Sequence, residues 1–171
     1  MKEMLETFDR EGNFVGVKSR TVCHSSNPGV FHKTVLIWMK NDEGMILVQK
    51  RSKNKKQAPG LWDTSSAGHV PAGETCLQTC VRETREELGI DVQESDFLLL
   101  GKSVENDSWE IAHTYLLKNN TKLEDLKIQK EEVDEVKWLN YEEFVELLHS
   151  EKFHDHGNNY STWVAELLKD M

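Results

Sequence analysis

The sequence predicts an α/β protein, a mixed β-sheet covered by helices in an α/β/α sandwich, in a single domain over residues 1–171. Three observations predict it. Strand-like segments dominate the middle of the chain. Helical segments are interspersed among them and gather late. The length, 171 residues, supports one proper core and would crowd two. No internal repeat, low-complexity tract or linker divides the chain.

The elements follow in order. Residues 13–18 read as a short strand after the turn Asp9-Arg10-Glu11-Gly12. Residues 30–39, rich in Val, Ile and Trp, read as a strong strand. The turn Asn41-Asp42-Glu43-Gly44 and a strand over 45–50 follow, so this pair is expected to form a hairpin. Residues 53–59 are a polar loop and 62–66 a short strand. Residues 75–88 form the clearest helix, with Gly89 placed to end it. Strands are expected over 97–104, 109–118 and 135–139. A helix opens at Asn140 or Tyr141 and runs to about 149, and a last one covers 160–169.

Composition narrows the function. The net charge of −9 argues against a broad nucleic-acid surface but permits a local basic pocket. No stretch approaches the ~20 apolar residues of a membrane span. The start, Met1-Lys2-Glu3-Met4-Leu5-Glu6, lacks an apolar signal core, so a cytoplasmic protein is expected. Cys23, Cys76 and Cys80 are a sparse, odd set, as reduced thiols would be. Cys76 and Cys80 lie four apart with no second pair to complete a zinc site, and read as small buried side chains. The expected partner is a small molecule, with no nucleic-acid polymer and no membrane. Oligomeric state is open, a homodimer included.

The decisive segment runs from Gly68 to Ile90. It holds Gly68-His69-Val70-Pro71-Ala72-Gly73-Glu74, then seven residues, then Arg82-Glu83-Thr84-Arg85-Glu86-Glu87-Leu88-Gly89-Ile90. Glu83, Glu86 and Glu87 stand at i, i+3 and i+4 and project from one helical face. Like charges at that spacing weaken an isolated helix, so something must offset them. A hard divalent cation would, and Mg2+ takes a few carboxylates together with substrate phosphate oxygens. Arg82 can buttress a carboxylate. Leu77, Val81, Thr84 and Leu88 give the opposite face an apolar stripe for the core. Three glutamates alone would equally describe a solvated acidic face. The seven Gly, Glu and Arg positions taken together match by chance at only about one in 10^7 starts.

This segment resembles the Nudix box: Gly, five residues, Glu, seven residues, Arg-Glu-aliphatic-any-Glu-Glu-any-Gly-aliphatic. Every charged and glycine position agrees, and Thr84 stands at one aliphatic position. The resemblance implies a Nudix fold and Mg2+-dependent hydrolysis of a diphosphate linkage, with Mn2+ as a substitute metal. It implies Glu83, Glu86 and Glu87 as catalytic metal ligands, helped by the Gly68 carbonyl, and structural roles for Glu74, Arg82 and Gly89. The general base varies across such enzymes. Glu87, Glu132 and Glu135 are its candidates, the last two set against a reading as solvated loop residues.

Segments outside the box are similar to the isopentenyl diphosphate isomerase branch. They include Asn13-Phe14-Val15-Gly16-Val17, His24, Phe31-His32-Lys33, residues 47–52, Pro59-Gly60-Leu61-Trp62, Gly68-His69 and Tyr160-Ser161-Thr162-Trp163. Those isomerases hold a metal with three histidines and a glutamate, which here match His24, His32, His69 and Glu110. Imidazole ligands would favour Zn2+ or Mn2+ over Mg2+. The basic residues that grip diphosphate match Arg20, Arg51 and Lys55, although Lys50, Arg51, Lys53, Lys55 and Lys56 also describe a solvated basic loop. Trp163 either lines the pocket or belongs to the core. The isomerase, however, needs a cysteine where this chain has Ala67, and a glutamate where it has Ala112. Three readings remain: a Nudix diphosphohydrolase, an isomerase with a relocated acid/base pair, and a diphosphate-binding sensor without catalysis.

Overall fold

A computed structural model describes residues 2–171. Its strands and helices fall close to the expected segments, with two early additions. Strand β1 (Met4–Phe8) pairs antiparallel with β2 (Phe14–Ser19), and the four-residue helix α1 (Arg20–Cys23) follows. Neither β1 nor α1 has a hydrophobic period in the sequence. β1 is one strand among charged residues, and α1 is a single turn. Next come β3 (Phe31–Lys40), β4 (Ile46–Arg51), β5 (Trp62–Asp63), β6 (Ser66–His69) and α2 (Cys76–Leu88). The chain closes with β7 (Phe97–Glu105), β8 (Glu110–Lys118), β9 (Val133–Leu139), α3 (Tyr141–Leu148) and α4 (Tyr160–Lys169).

β3 is the axis of the sheet. Along one edge it pairs in parallel with β8 from His32↔Glu110 to Lys40↔Lys118. On its other edge it meets β1, then β6, then β4 in succession. β8 pairs antiparallel with β7, and β4 with β9 and β5. The sheet is therefore mixed. The expected β3–β4 hairpin is confined to two residue pairs, Met39↔Leu47 and Lys40↔Ile46, after which the strands part. Ser65 fills the fork: its Oγ accepts from the Met39 N–H at 2.7 Å and donates to the Leu47 carbonyl at 2.6 Å. The stretch expected as one strand over 62–66 is thereby split. Asp63 stays on β4 while Ser66 crosses to β3.

Both faces of β3 are buried, which explains its nearly unbroken apolar run. Leu36 and Trp38 face one side, where Phe144 and Leu148 of α3 and Val164 and Leu168 of α4 cover them. Val35, Ile37 and Met39 face the other side, against Cys80 and Leu88 of α2. One sheet thus lies between α2 and the α3/α4 pair, the α/β/α arrangement expected. On α2 the fully covered residues are Thr79, Cys80, Thr84, Glu87 and Leu88, while Leu77 and Val81 are half-buried. The apolar stripe is rotated toward Cys80 from its expected position, and that turn carries Glu87 under the sheet. No described helix is long and apolar enough to cross a membrane.

Candidate active site

Helix α2 is placed by its ends. Thr75 caps the N-terminus, accepting from the Gln78 N–H at 3.1 Å, while the Gln78 side chain accepts from the Thr75 N–H at 3.0 Å. Gly89 ends it in a left-handed conformation with φ of 70°, which a side chain resists. The helix lies against β6, and Gly68 of that strand is the contact that matters. A β-carbon there would collide with the Glu83 carboxyl, so only glycine lets the two approach.

The box residues gather around Arg82. Its Nη1 donates to Glu83 Oε1 at 2.8 Å and to Glu86 Oε2 at 3.3 Å. Its Nε reaches Glu74 Oε1 at 3.1 Å, and Glu74 in turn accepts from Thr79 Oγ1 at 2.9 Å. Arg82 and Glu74 therefore brace the carboxylates. The three glutamates differ in environment. Glu86 is exposed, Glu83 partly covered and Glu87 buried. Glu87 Oε2 accepts from Gln49 Nε2 at 3.1 Å and from the Ala67 N–H at 3.2 Å. Burial pushes Glu83 up to about 7, against the pull of Arg82. Burial, with Glu83 as a neighbour, pushes Glu87 up to about 8. Two carboxyls withdrawn from water to different degrees, without full charge compensation, are a donor set that a divalent cation fits.

A cleft of about 860 Å3 runs past this face and is lined by Gly68, Glu83, Glu86 and Glu87. Arg20, Arg51, Lys55, His69, Glu110 and Glu132 line it too. Each basic residue already has an acidic partner. Arg20 Nη1 meets Glu3 Oε2 at 2.9 Å, Arg51 Nη1 meets Asp63 Oδ2 at 3.0 Å, and Lys55 meets Glu132. Glu135 is not among the lining residues, and its Oε1 pairs with Lys137 Nζ at 3.1 Å. Trp163 is also away from the cleft lining. It rests on Gly101 of β7, where a β-carbon would come within 2.8 Å of its ring, and beside Tyr160 at 5.7 Å between centroids. Of the two readings of Trp163, this geometry favours the core one, with α4 turning the indole onto the sheet.

The histidines meet as well. His32 on β3 stands opposite Glu110 on β8, and His69 on β6 stands opposite Thr34. The end of α1 brings in His24, whose Nε2 lies 2.9 Å from His69 Nε2. Glu110 Oε1 is 3.5 Å from His32 Nε2 and 3.7 Å from His69 Nε2. Both ring nitrogens of His32 are buried without a hydrogen-bond partner. An orphaned, buried imidazole beside a carboxylate fits a metal ligand set. Burial and the neighbouring histidines push His24 down to about 4, favouring the neutral, ligating form. Burial depresses His69 as well, and Glu110, despite its own burial, is held well below the carboxylate range by the His32 and His69 imidazoles beside it. Ala67 lines the cleft and Ala112 is buried in the core, so inert methyl groups occupy both isomerase positions.

Some cleft residues escape sequence reasoning. Gln49, Asp63, Glu105, His154 and His156 all line it. The alternating His154-Asp155-His156 was the available signal, but it lies in a loop with no periodicity.

A family model described as the NUDIX domain matches residues 30–162. An uncharacterised Nudix hydrolase of Clostridium acetobutylicum is 36% identical over 77% of this chain and 67% of its own length. Nudix hydrolase 3 of Arabidopsis thaliana is 36% identical over 88% of this chain, which spans only 21% of that protein. An isopentenyl-diphosphate Delta-isomerase of Streptomyces griseus is 32% identical over 51% of the chain and 44% of its own length. Among solved structures, a Deinococcus radiodurans protein superimposes with a TM-score of 0.75 at 21% identity, covering 98% of both chains. The glutamate helix, the glycine that admits it and a model match over most of the length lead to one conclusion: this chain belongs to the Nudix family.

Proposed function

We propose that the protein is a Mg2+-dependent diphosphohydrolase that cleaves the phosphoanhydride bond of a small nucleotide-like or other diphosphate. The observation that carries this reading is the pair of carboxyls at the wall of the cleft, Glu87 buried against the Ala67 N–H and Glu83 partly covered and closing on Gly68. Glu83, Glu86, Glu87 and the Gly68 carbonyl would hold the cation. Such an ion neutralises phosphate charge and acidifies the attacking water. Arg82 keeps Glu83 and Glu86 in place through hydrogen bonds of 2.8 and 3.3 Å. Gln49 and the Ala67 N–H orient Glu87. Of the three bases left open by the sequence, Glu135 lies off the cleft lining and Glu132 is committed to Lys55. Glu87 is the best suited to accept the water's proton, because its raised affinity for protons matches work near neutral pH.

The test is a panel of nucleoside diphosphate derivatives and isoprenoid diphosphates incubated with Mg2+, with phosphate products measured. Release that disappears with EDTA and in Glu86→Gln supports hydrolysis. Turnover-free binding of a diphosphate would favour the sensor instead. The assembled cluster His24, His32, His69 and Glu110 favours a second reading, the isomerase. Double-bond migration without phosphate release would establish that one and reject the first. Against it stands Ala67, whose methyl group exchanges no proton.

A further inference from the structure

The same cleft holds a second group of buried ionisable side chains that the glutamate helix does not engage. Asp63 ends β5 and is buried. Its Oδ1 accepts from the Thr64 N–H at 2.8 Å and from His156 Nε2 at 2.8 Å. Its Oδ2 accepts from Arg51 Nη1 at 3.0 Å and from His154 Nδ1 at 3.1 Å. Asp63, His154 and His156 lie close enough to suggest a metal site. Two features oppose that. The carboxylate is already saturated with donors, and a cation would have to share Oδ2 with a guanidinium.

An anion suits the geometry better. Asp63 grips His154 by Nδ1, His156 by Nε2 and Arg51 by Nη1. It thereby leaves His154 Nε2, His156 Nδ1 and Arg51 Nη2 uncommitted to it. All three residues line the cleft, as do Glu83, Glu86, Glu87, Glu110 and Glu132. One carboxylate thus anchors three groups able to carry positive charge at the cleft. The loop that carries the imidazoles is pinned at both ends. His154 N–H donates to the Trp62 carbonyl at 2.8 Å, and Asn158 Nδ2 donates to the Val104 carbonyl at 2.7 Å. Gly157, Asn158 and Asn159 all take left-handed backbone, a turn that few other residues would follow. Nearby, buried Glu105 lines the cleft with Oε1 lacking a hydrogen-bond partner, so a ligand bearing a hydroxyl proton would satisfy it.

We propose that His154, His156 and Arg51, clamped by Asp63, form a phosphate-binding subsite in the cleft built from residues other than Glu83, Glu86 and Glu87. It deepens the hydrolase reading if the phosphate belongs to the substrate, yet binding itself needs neither Mg2+ nor turnover. The experiment therefore uses the full chain in EDTA. Imidazole 15N resonances are followed while inorganic phosphate is added, against chloride at equal ionic strength. Saturable shifts of both His154 and His156 are expected. His154→Gln, a change at a half-exposed ring, should weaken phosphate about tenfold or more with its amide spectrum intact, the loss of one charge-assisted hydrogen bond. Shifts equal to those in chloride would overturn the proposal. So would stoichiometric binding of zinc, added in a parallel titration without EDTA, that His154→Gln removes while phosphate leaves both rings unmoved. Steady-state kinetics with the best substrate of the panel then separate the sources. A raised KM with kcat retained assigns the subsite to the substrate's own phosphate. An unchanged KM with lost inhibition by phosphate assigns it to the free ion. If no substrate is ever found, the hydrolase reading fails while the phosphate titration still decides the subsite.

Discussion

Glu87 and Asp63 are both buried carboxyls on the wall of one cleft, and their acidities diverge. Glu87 is pushed up to about 8, whereas Asp63 is held well below the ordinary aspartate range. Burial opposes the charged form in both. The partners differ. Glu87 receives two neutral donors, from Gln49 and Ala67, and has Glu83 as a like-charged neighbour. Asp63 receives four donors, among them a guanidinium and two imidazoles. Asp63 has its cations built into the chain. Glu87 has none, and Glu83 has only Arg82, a guanidinium it shares with Glu74 and Glu86. A buried carboxylate with its charge already answered serves as an anchor, and one with the charge unanswered stays neutral until a cation is supplied.

Substitution at each position sharpens this contrast. Glu87→Gln should lower hydrolysis by about 10^2–10^4-fold, the usual contribution of a positioned proton acceptor, as read from kcat on the best substrate. The same change should leave the metal-free fold as stable as wild type or more so, because it deletes an uncompensated acid. A cooperative fall in Tm for Glu87→Gln would break the comparison. Asp63→Asn should do the reverse to the fold. Removing one partner of a buried charged network costs about 3–5 kcal/mol, a fall of roughly 10 °C in Tm for a chain of this size.

The glutamates and Asp63 itself should also give stability opposite pH slopes. Glu83 and Glu87 bind protons more tightly folded than unfolded, since 4.5 is the ordinary value and they stand near 7 and 8. Their contribution is fully present below about 4.5 and is lost as pH rises through 7 to 8. Asp63, depressed in the fold, contributes above its ordinary value of 3.8 and loses that contribution as pH falls further. Thermal melts in EDTA should therefore weaken from pH 5 to pH 8, and Mg2+ should restore the loss at the alkaline end. Melts that are flat over that range in EDTA would contradict the assigned environments. The smallest effect is expected at Trp163. Its ring packs on Gly101 rather than in the cleft, so Trp163→Phe should cost about 1 kcal/mol of stability and leave KM unchanged.

The box and its helix were legible because their information is local. The i, i+3, i+4 spacing puts Glu83, Glu86 and Glu87 together whatever the rest of the chain does. Thr75, Gln78 and Gly89 bound the helix through contacts within a few residues. The fold class was legible for a similar reason, since the doubly buried β3 announces itself in its run of apolar residues. Resemblance, rather than spacing, pointed to His24, His32, His69 and Glu110. The β1–β3 region was partly missed, and the fork at Ser65 wholly, because a strand's partners are not written in its own period.

The sequence alone determined that three glutamates would share one helical face and that the sheet would be covered on both sides. Only the tertiary structure decided that one glutamate of the three would be buried, that Trp163 would leave the cleft, and that Asp63 would meet two histidines. The His156–Asp63 hydrogen bond joins residues 93 apart in sequence. Such a contact depends on where β5 leaves β4 and where the loop before α4 is pinned. Strand register and loop anchorage are properties of the assembled sheet, so no window along the chain contains them.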